Sequence, residues 1–160
     1  MWLGESACTL DDKSRVFLPR KYLGGFGVDA EGRPVVILTR GFEGCLFLFS
    51  EAGFQAVLAR LETQAFAGAE ARRMQRLFFA NTHRTTLDAQ GRLLVPEKLK
   101  SLLSLERDVV LVGAIDRIEI WSKAGWDAFE AANVKQFDRL DHVLCGNKSG
   151  ASAPNSAPAP

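Results

Sequence analysis

The sequence predicts a mostly β fold with flanking α-helices, assembled from two similar halves. Two observations lead to this prediction: a tandem repeat of strand-like segments, and short apolar runs separated by residues that favour turns. The chain has 160 residues, of which 47% are hydrophobic, so it has enough apolar residues for a real core. A half of about 70 residues with only short strands would bury little surface alone. We therefore expect the two halves to complete one sheet or barrel together.

The repeat consists of three pairs of matching segments that occur in the same order. The offset between partners falls from 77 to 74 and then to 72 residues, as expected if two loops are shorter in the second copy. The pairs are residues 9–19 with 86–96, residues 35–38 with 109–112, and residues 49–54 with 121–126. Three ordered matches with the same residue chemistry indicate a tandem duplication.

Each copy predicts the same series of elements. A strand leads into a turn, where Asp and Gly suit a tight reversal, and a second strand follows. A proline then opens a helical turn at the first helical position, and two further strands and a closing helix complete the copy. The turns are residues 11–14 and 88–91, the second strands 15–18 and 92–95, the prolines Pro19 and Pro96, and the later strands 35–39, 44–49, 109–113 and 118–121.

The helices are predicted from their caps and their apolar spacing. Ser50 and Ser122 precede the two closing helices and are natural N-caps. Residues 69–80 predict another helix, which connects the copies. It carries Arg72, Arg73 and Arg76, which could line a subunit interface or contact DNA, and we favour the interface.

The domain organisation follows from the repeat and from composition. We expect a first half at residues 1–70, a linking helix at 71–82, a second half at 83–145 and a tail at 146–160. The tail is small, polar and rich in proline, so it cannot bury enough apolar surface to offset its ordering entropy. We expect it to be disordered.

Positive charge is concentrated in one part of an almost neutral chain. The whole sequence has 20 Lys+Arg and 19 Asp+Glu, but residues 72–107 hold eight basic and three acidic residues. Because salt screens distant charges, a local excess can bind phosphate even when the net charge is low. By itself this pattern says little, since most charge runs are solvated faces.

The shared centre of the repeat is Asp-x-x-x-Arg, which falls on Asp11 and Arg15 and again on Asp88 and Arg92. In one interpretation the Asp accepts backbone N–H bonds in the turn and the Arg pairs with it across the hairpin. In the other, the guanidinium points outward and binds phosphate or guanine through two hydrogen bonds. Both can hold at once. Six further cations favour an anion-binding surface, namely Lys13, Arg20 and Lys21 beside the first turn and Arg84, Lys98 and Lys100 beside the second.

At this level of detail the chain resembles the MraZ family of bacterial transcriptional regulators. The resemblance spans roughly residues 1–144 and rests on four segments. These are Leu-Asp-x-Lys-x-Arg-Val-x-Leu-Pro in the first copy, Leu-Asp-x-x-Gly-Arg-Leu-Leu-Val-Pro in the second, Arg-Arg-Met-Gln-Arg at 72–76, and residues 111–121.

The resemblance implies a fold and a function. The fold is two AbrB-like swapped-hairpin halves that form one pseudo-symmetric β-barrel within one chain. The function is that of a ring-like homo-oligomer on the nucleoid, which binds short direct repeats in double-stranded promoter DNA of its own division and cell-wall operon, generally as a repressor. One position departs from the family pattern, because Ser14 stands where Gly is usual, whereas Gly91 keeps it. If this position needs a positive φ, Ser14 carries modest strain.

Other function classes find little support in the sequence. Two His (His83, His142) and three Cys (Cys8, Cys45, Cys145) lack the spacing of metal ligands, and no glycine-rich phosphate loop or catalytic group is evident. The N-terminus shows no signal peptide, and no apolar run is long enough to span a membrane. We therefore expect a cytoplasmic protein that is not an enzyme and has no cofactor, metal or membrane partner. The alternative is an AbrB-like interaction module of antitoxin type, which binds and masks a protein partner.

Overall fold

A computed structural model describes residues 1–62 and 68–140 of the chain. In these ranges it has eight strands, five α-helices and one short 3-10 helix. The strands are β1 (Trp2–Thr9), β2 (Arg15–Phe17), β3 (Val35–Arg40), β4 (Leu46–Phe49), β5 (His83–Thr86), β6 (Arg92–Leu94), β7 (Asp108–Ile115) and β8 (Ile118–Ser122). The helices are α1 (Arg20–Leu23), α2 (Glu51–Glu62), α3 (Ala69–Phe79), α4 (Glu97–Leu102) and α5 (Lys123–Asn133), and the 3-10 helix is Val134–Leu140.

The strands form a six-stranded antiparallel sheet and a separate two-stranded ribbon. The sheet has the order β1-β7-β8-β4-β3-β5, and the ribbon pairs β2 with β6. Among the described strands, β3 pairs with β4 and β7 with β8 inside one half, whereas β1–β7, β2–β6, β3–β5 and β4–β8 join the halves. The expectation that two halves complete one sheet is confirmed.

The exchange of strands also explains how the chain divides into compact units. Met1–Trp126 forms one unit, because strands from both halves build the six-stranded sheet and the ribbon. A second unit begins at Asp127 and contains the rest of α5 and the 3-10 helix. Inside this second unit, the side-chain amide of Asn133 donates to the carbonyl of Phe129 at 2.7 Å. The tail predicted at 146–160, together with His142 and Cys145, lies outside the described residues.

The prediction of a mostly β fold needs a correction. The α-helices contain about as many described residues as the strands, so the fold is mixed α/β with antiparallel sheets in two repeated halves. The difference comes from α2, α3 and α5, which are each longer than any strand. Closure into a barrel is not observed, since β1 and β5 are the two edges of the six-stranded sheet over the described ranges.

One hydrophobic cluster joins the ribbon to the sheet. Val16 of β2 and Leu93 of β6 are fully buried in it, together with residues of β3, β4 and β8 such as Leu38, Leu48 and Ile120. Burying one such side chain stabilises the fold by about 1.5–3 kcal/mol. The ribbon is therefore anchored by its inner face, and its outer face is left free for other contacts.

The two prolines occupy positions one residue earlier than predicted. Pro19 and Pro96 immediately precede α1 and α4, with extended ψ values of 142° and 136°. Their carbonyls accept the first helical bonds from the N–H groups of Tyr22 and Leu99, both at 2.9 Å. An extended proline here continues the direction of the preceding strand, and its missing N–H would have had no helical partner in any case.

The predicted caps and the predicted linking helix are confirmed. Ser50 Oγ accepts from the N–H of Gly53 at 3.0 Å, and Ser122 Oγ accepts from the N–H of Gly125 at 3.1 Å, as N-caps of α2 and α5. The helix expected over 69–80 is α3, which ends one residue earlier. These elements were predictable because caps and apolar spacing act locally.

Candidate nucleic-acid interface

The β2–β6 ribbon presents the two predicted arginines on one face. Its register pairs Arg15 with Leu94, Val16 with Leu93, and Phe17 with Arg92. Because side chains alternate along a strand, the middle pair faces the core and the outer pairs face away from it. The side chains of Arg15 and Arg92 keep 27% and 30% of their surface exposed.

The first turn is organised by both the backbone and the side chain of Asp11. The Asp11 carbonyl accepts from the N–H of Ser14 at 2.9 Å, and its N–H donates to the Arg15 carbonyl at 2.8 Å. Asp11 Oδ1 accepts from the N–H groups of Lys13 (2.9 Å) and Arg15 (3.0 Å). Asp11 Oδ2 accepts from Arg15 Nε at 2.8 Å and lies 2.7 Å from Nη2. The carboxylate of Asp11 therefore both orders the turn and holds the Arg15 guanidinium.

The second turn repeats this geometry. Asp88 Oδ1 accepts from the N–H groups of Gln90 (3.0 Å) and Arg92 (2.9 Å), and Oδ2 accepts from Arg92 Nε at 2.7 Å. The Asp88 carbonyl accepts from the N–H of Gly91 at 2.8 Å. One contact is specific to this copy, since Arg92 Nη2 donates to Gln90 Oε1 at 3.1 Å.

The acidity of the two aspartates reflects these contacts. The hydrogen bond from the Arg15 guanidinium lowers the pKa of Asp11 to about 2, with further help from the backbone N–H groups of Arg15 and Lys13. Desolvation alone would raise the pKa of Asp88, but the backbone and side chain of Arg92 outweigh it and hold the pKa below its ordinary value. Both carboxylates are thus anionic at neutral pH.

The structural interpretation of the Asp-x-x-x-Arg element is confirmed, and its geometry leaves room for the second interpretation. The aspartate pairs with the arginine, as the structural interpretation predicts. Asp11 engages Nε and Nη2 of Arg15. Asp88 engages Nε of Arg92, whose Nη2 donates to Gln90. Within the described part of the chain, Nη1 of Arg15 and Nη1 of Arg92 donate to no protein atom. A guanidinium with free donors and a fixed plane can still bind phosphate or the edge of guanine.

The positive φ expected at the fourth turn position is confirmed. Ser14 has a φ of 58°, and Gly91 at the equivalent place has a φ of 77°. The Ser14 side chain has partners that a glycine would lack. Its hydroxyl donates to Glu97 Oε2 at 3.3 Å and accepts from Lys100 Nζ at 3.1 Å. These bonds offset part of the strain of a left-handed residue that carries a Cβ.

Lys100 lies at the first turn, not beside the second as predicted. Its ammonium reaches Ser14 Oγ at 3.1 Å and lies 3.9 Å from Glu97 Oε2. The reason is the exchange of strands between the halves, which brings α4 of the second copy to the turn of the first. This contact joins residues that are 86 positions apart, so nearness in sequence was a poor guide.

Some of the other predicted cations are exposed, and the others are bound to protein partners. Lys13 and Arg20 are exposed. Lys21 donates to the Glu5 carbonyl at 2.6 Å and its ammonium lies 4.8 Å from the centre of the Tyr22 ring.

Lys98 and Arg84, which were predicted beside the second turn, also have protein partners. Lys98 donates to the Ala80 carbonyl at 3.4 Å. Arg84 pairs with Glu51 of α2 at 2.7 Å, so it is bound at that helix rather than held at the second turn.

A third turn of the same kind was missed by the sequence analysis. Asp29 and Arg33 repeat each contact: Asp29 Oδ1 accepts from the N–H groups of Glu31 (3.1 Å) and Arg33 (2.8 Å), and Oδ2 accepts from Arg33 Nε at 2.8 Å. Gly32 has a φ of 77°, as Gly91 does. The signal was present, because Asp-Ala-Glu-Gly-Arg at 29–33 differs from Asp-Ala-Gln-Gly-Arg at 88–92 in one residue. This turn is not one of the segments that recur between the two copies, so comparison of the copies does not reveal it.

The third turn differs from the other two in charge. Arg33 Nη2 is bound by a second carboxylate, Glu31 Oε2, at 2.9 Å. At the same place the first turn has Lys13 and the second has the neutral Gln90. Arg33 is therefore neutralised twice, although 48% of its side chain is exposed. The same turn geometry therefore forms with a cationic, a neutral or an acidic residue at its third position, and the three turns differ in the net charge around the arginine.

The described residues contain no arrangement typical of a metal site or a membrane span. No group of three or more His, Cys, Asp or Glu in residues 1–62 and 68–140 is placed to hold a metal ion. In the same ranges, every helix is too short or too polar to cross a bilayer. Cys45 is buried, and burial raises the pKa of its thiol to about 12, which is typical of an unreactive core cysteine.

Comparison with known proteins identifies the family. The family described as "MraZ protein, putative antitoxin-like" matches the chain twice, at residues 1–77 and 78–143. The chain belongs to the MraZ family. It is 36% identical over 147 residues to the transcriptional regulator MraZ of Salinispora tropica, covering 91% of this chain and 99% of that protein. It is 33% identical over 140 residues to the MraZ of Moorella thermoacetica, covering 88% and 94%.

Membership of the MraZ family confirms several predictions. The two matches coincide with the tandem repeat, and the boundary between them falls within α3. The MraZ relatives are named transcriptional regulators, which is the class of function expected for this chain.

Proposed function

We propose that this chain is a sequence-specific DNA-binding regulator that docks its β2–β6 ribbon on duplex DNA. The observation that supports this most strongly is the outer face of the ribbon. It presents Arg15 and Arg92 with fixed planes, partial exposure and free Nη1 donors. The major groove of B-DNA admits a two-stranded ribbon, and arginine is the commonest reader of guanine there.

The aspartates act as positioning groups in this proposal. Asp11 and Asp88 each hold an arginine at Nε, which fixes the guanidinium before DNA arrives. A side chain that is already ordered loses less conformational entropy on binding. The negative charge of the same carboxylates weakens the attraction of the arginines for phosphate. Contacts to bases, which are specific, therefore contribute a larger share of the binding than non-specific contacts to phosphate.

The surrounding cations supply contacts to the phosphate backbone. Lys13 and Arg20 are exposed, and Lys100 lies at the first turn, where it would have to give up its bond to Ser14 Oγ to reach a phosphate. Phosphate contacts of this kind position a protein and make its binding depend on salt. Lys21, Arg84 and Lys98 would first have to leave the protein acceptors described above, so we assign them a smaller part.

We propose that the chain acts as a ring-like homo-oligomer on short direct repeats. One ribbon makes few contacts, and several ribbons on one duplex gain affinity through multivalency. Exposed apolar residues on α3 support a subunit interface there, since Met74 and Leu77, which lie one turn apart, are each 55% exposed. In this arrangement Arg72, Arg73 and Arg76 line the interface.

The family supports the remaining parts of the proposal. We infer that the target is the promoter of the chain's own division and cell-wall operon, that the usual effect is repression, and that the protein works on the nucleoid in the cytoplasm. We also propose that the ribbon and the sheet close into one AbrB-like barrel. The bridge between Leu10 and Val16 supports this closure, since it connects the end of β1 to β2.

Fluorescence anisotropy tests the proposed function. The full-length protein is titrated with a labelled duplex from upstream of its own gene and with a scrambled duplex of the same composition, each across a salt series. We expect tight binding to the native duplex only, with a steep loss of affinity as salt rises. Equal binding to both duplexes would contradict sequence-specific recognition. Absence of binding at low salt would reject DNA as the partner and favour the antitoxin-type alternative.

A further inference from the structure

The outer face of the ribbon carries two exposed apolar side chains between its arginines. Phe17 and Leu94 are 51% and 54% exposed, whereas their neighbours in the same strands, Val16 and Leu93, are fully buried. Apolar side chains of this size lose favourable free energy when left in water. A partner that covered both of them would therefore gain from their burial.

The register places each apolar side chain directly opposite an arginine. Phe17 faces Arg92 and Leu94 faces Arg15, so the two pairs form a small square of alternating apolar and cationic groups. Directly opposite residues in an antiparallel ribbon have Cβ atoms about 5 Å apart. The Phe17 ring also lies beside the second turn, where its Cε2 would be 3.7 Å from a side chain at Gly91.

The charges around the square indicate what kind of partner fits. A protein or lipid surface that covered Phe17 and Leu94 would also remove both Asp–Arg pairs from water, at a penalty that an apolar partner does not repay. Duplex DNA can satisfy both kinds of group. Its major groove offers acceptors on guanine to an arginine, and beside them the C5-methyl group of thymine as an apolar contact.

We propose that Phe17 and Leu94 are specificity-determining residues that contact thymine methyl groups next to the bases reached by Arg92 and Arg15. This inference rests on the proposed function, because it requires the ribbon to lie in the major groove. The apolar pair then adds a requirement for thymine to the arginines' preference for guanine. Cytosine lacks the methyl group, and the minor groove does not display it, so the contact distinguishes both the base and the groove.

Substitution of deoxyuridine for thymine removes the methyl group and leaves base pairing unchanged. Each thymine of the native duplex is replaced in turn, and the affinity of the full-length protein is measured by anisotropy. Burial of one methyl group corresponds to about fourfold in affinity. We expect a loss of about that size at one or two positions of each repeat and no loss elsewhere.

Alanine variants then assign the contact to its side chain. Phe17→Ala and Leu94→Ala should each bind the thymine duplex more weakly and show no further loss with deoxyuridine at the position they contact. Phe42→Ala is the matched control, since Phe42 is also an exposed aromatic residue (72%) but lies outside the ribbon. It should keep the deoxyuridine effect in full. Thermal unfolding checks that each variant remains folded.

The outcomes separate this inference from the proposed function. If the native protein prefers its own duplex over the scrambled one and no deoxyuridine substitution changes affinity, the methyl contact is wrong and DNA recognition stands. If Phe17→Ala and Leu94→Ala retain the deoxyuridine effect, another residue contacts the methyl groups and the inference is again rejected. If the native protein shows no preference for its own duplex, both proposals fail.

Discussion

Replacing Gln90 with Glu should weaken DNA binding while leaving the fold intact. The second and third turns differ at this position, where Gln90 Oε1 accepts from Arg92 Nη2 at 3.1 Å and Glu31 Oε2 accepts from Arg33 Nη2 at 2.9 Å. Since the third turn folds with a carboxylate there, the second should accept one without rearrangement. The change turns a neutral Asp–Arg pair into a group with one net negative charge.

The size of the effect follows from two contributions. A carboxylate about 7 Å from a phosphate in water repels it by about 0.6 kcal/mol, which is about threefold in affinity. Binding Arg92 to a second carboxylate also weakens one charge-assisted hydrogen bond to DNA, for a further loss of up to about tenfold. We expect binding about three- to thirtyfold weaker per chain. The added carboxylate also cancels about one positive charge on the surface that faces DNA, so the slope of log affinity against log salt should become shallower by up to about 0.9.

Anisotropy with the native duplex at several salt concentrations measures both quantities. Glu31→Gln is the matched control, because it makes the reverse change in a turn that lies outside the ribbon, and it should bind as the unchanged protein does. The melting temperature of both variants should stay near that of the unchanged protein. A folded Gln90→Glu variant with unchanged affinity and salt slope would refute a role for Arg92 in DNA binding.

Two further predictions concern stability. Leu93→Ala should lower the free energy of unfolding by about 2–5 kcal/mol in denaturant unfolding, because Leu93 is fully buried where the two halves meet. Leu94→Ala, on the exposed side of the same strand, should change the free energy of unfolding by less than about 0.5 kcal/mol. Equal losses would contradict the observed register. The Asp11–Arg15 contact should lose its contribution in acid, since the pKa of Asp11 is about 2 in the folded chain against 3.8 in the unfolded chain. The contribution of this contact to stability is complete above the pKa of the unfolded chain and is lost as the pH falls through the pKa of the folded chain. Asp11→Asn should therefore flatten the acid end of the profile of stability against pH. An unchanged profile would contradict the assignment.

Local elements of this fold were predictable from sequence. The turns at Asp11 and Asp88, the caps at Ser50 and Ser122, and the helix connecting the repeats depend on residues within a few positions of one another. The positive φ of Ser14 followed from comparison with glycine in the second copy. Such interactions are encoded in short segments, so a single sequence is enough to identify them.

Contacts between the halves were not predictable in the same way. Lys100 was assigned to the nearest turn in sequence, but the exchange of strands carries it to Ser14 of the other half. Only a three-dimensional arrangement shows that β2 pairs with β6, and hence that Phe17 and Leu94 lie between the arginines. The third turn at Asp29 was missed for another reason, since it falls outside the repeat and no fixed offset finds it.

In the proposed function, the turns of the ribbon bind DNA because of where they lie in the fold, not because of their Asp-x-x-x-Arg motif alone. The double variant Arg15→Ala/Arg92→Ala and the single variant Arg33→Ala test it most directly, since all three arginines hold an aspartate in the same geometry. Affinity for the native duplex is measured by anisotropy, and folding by circular dichroism. We expect the double variant to lose at least about a hundredfold in affinity, about tenfold for each arginine, and Arg33→Ala to bind as the unchanged protein does. A folded double variant that still binds tightly, or an equal loss in Arg33→Ala, would contradict the account.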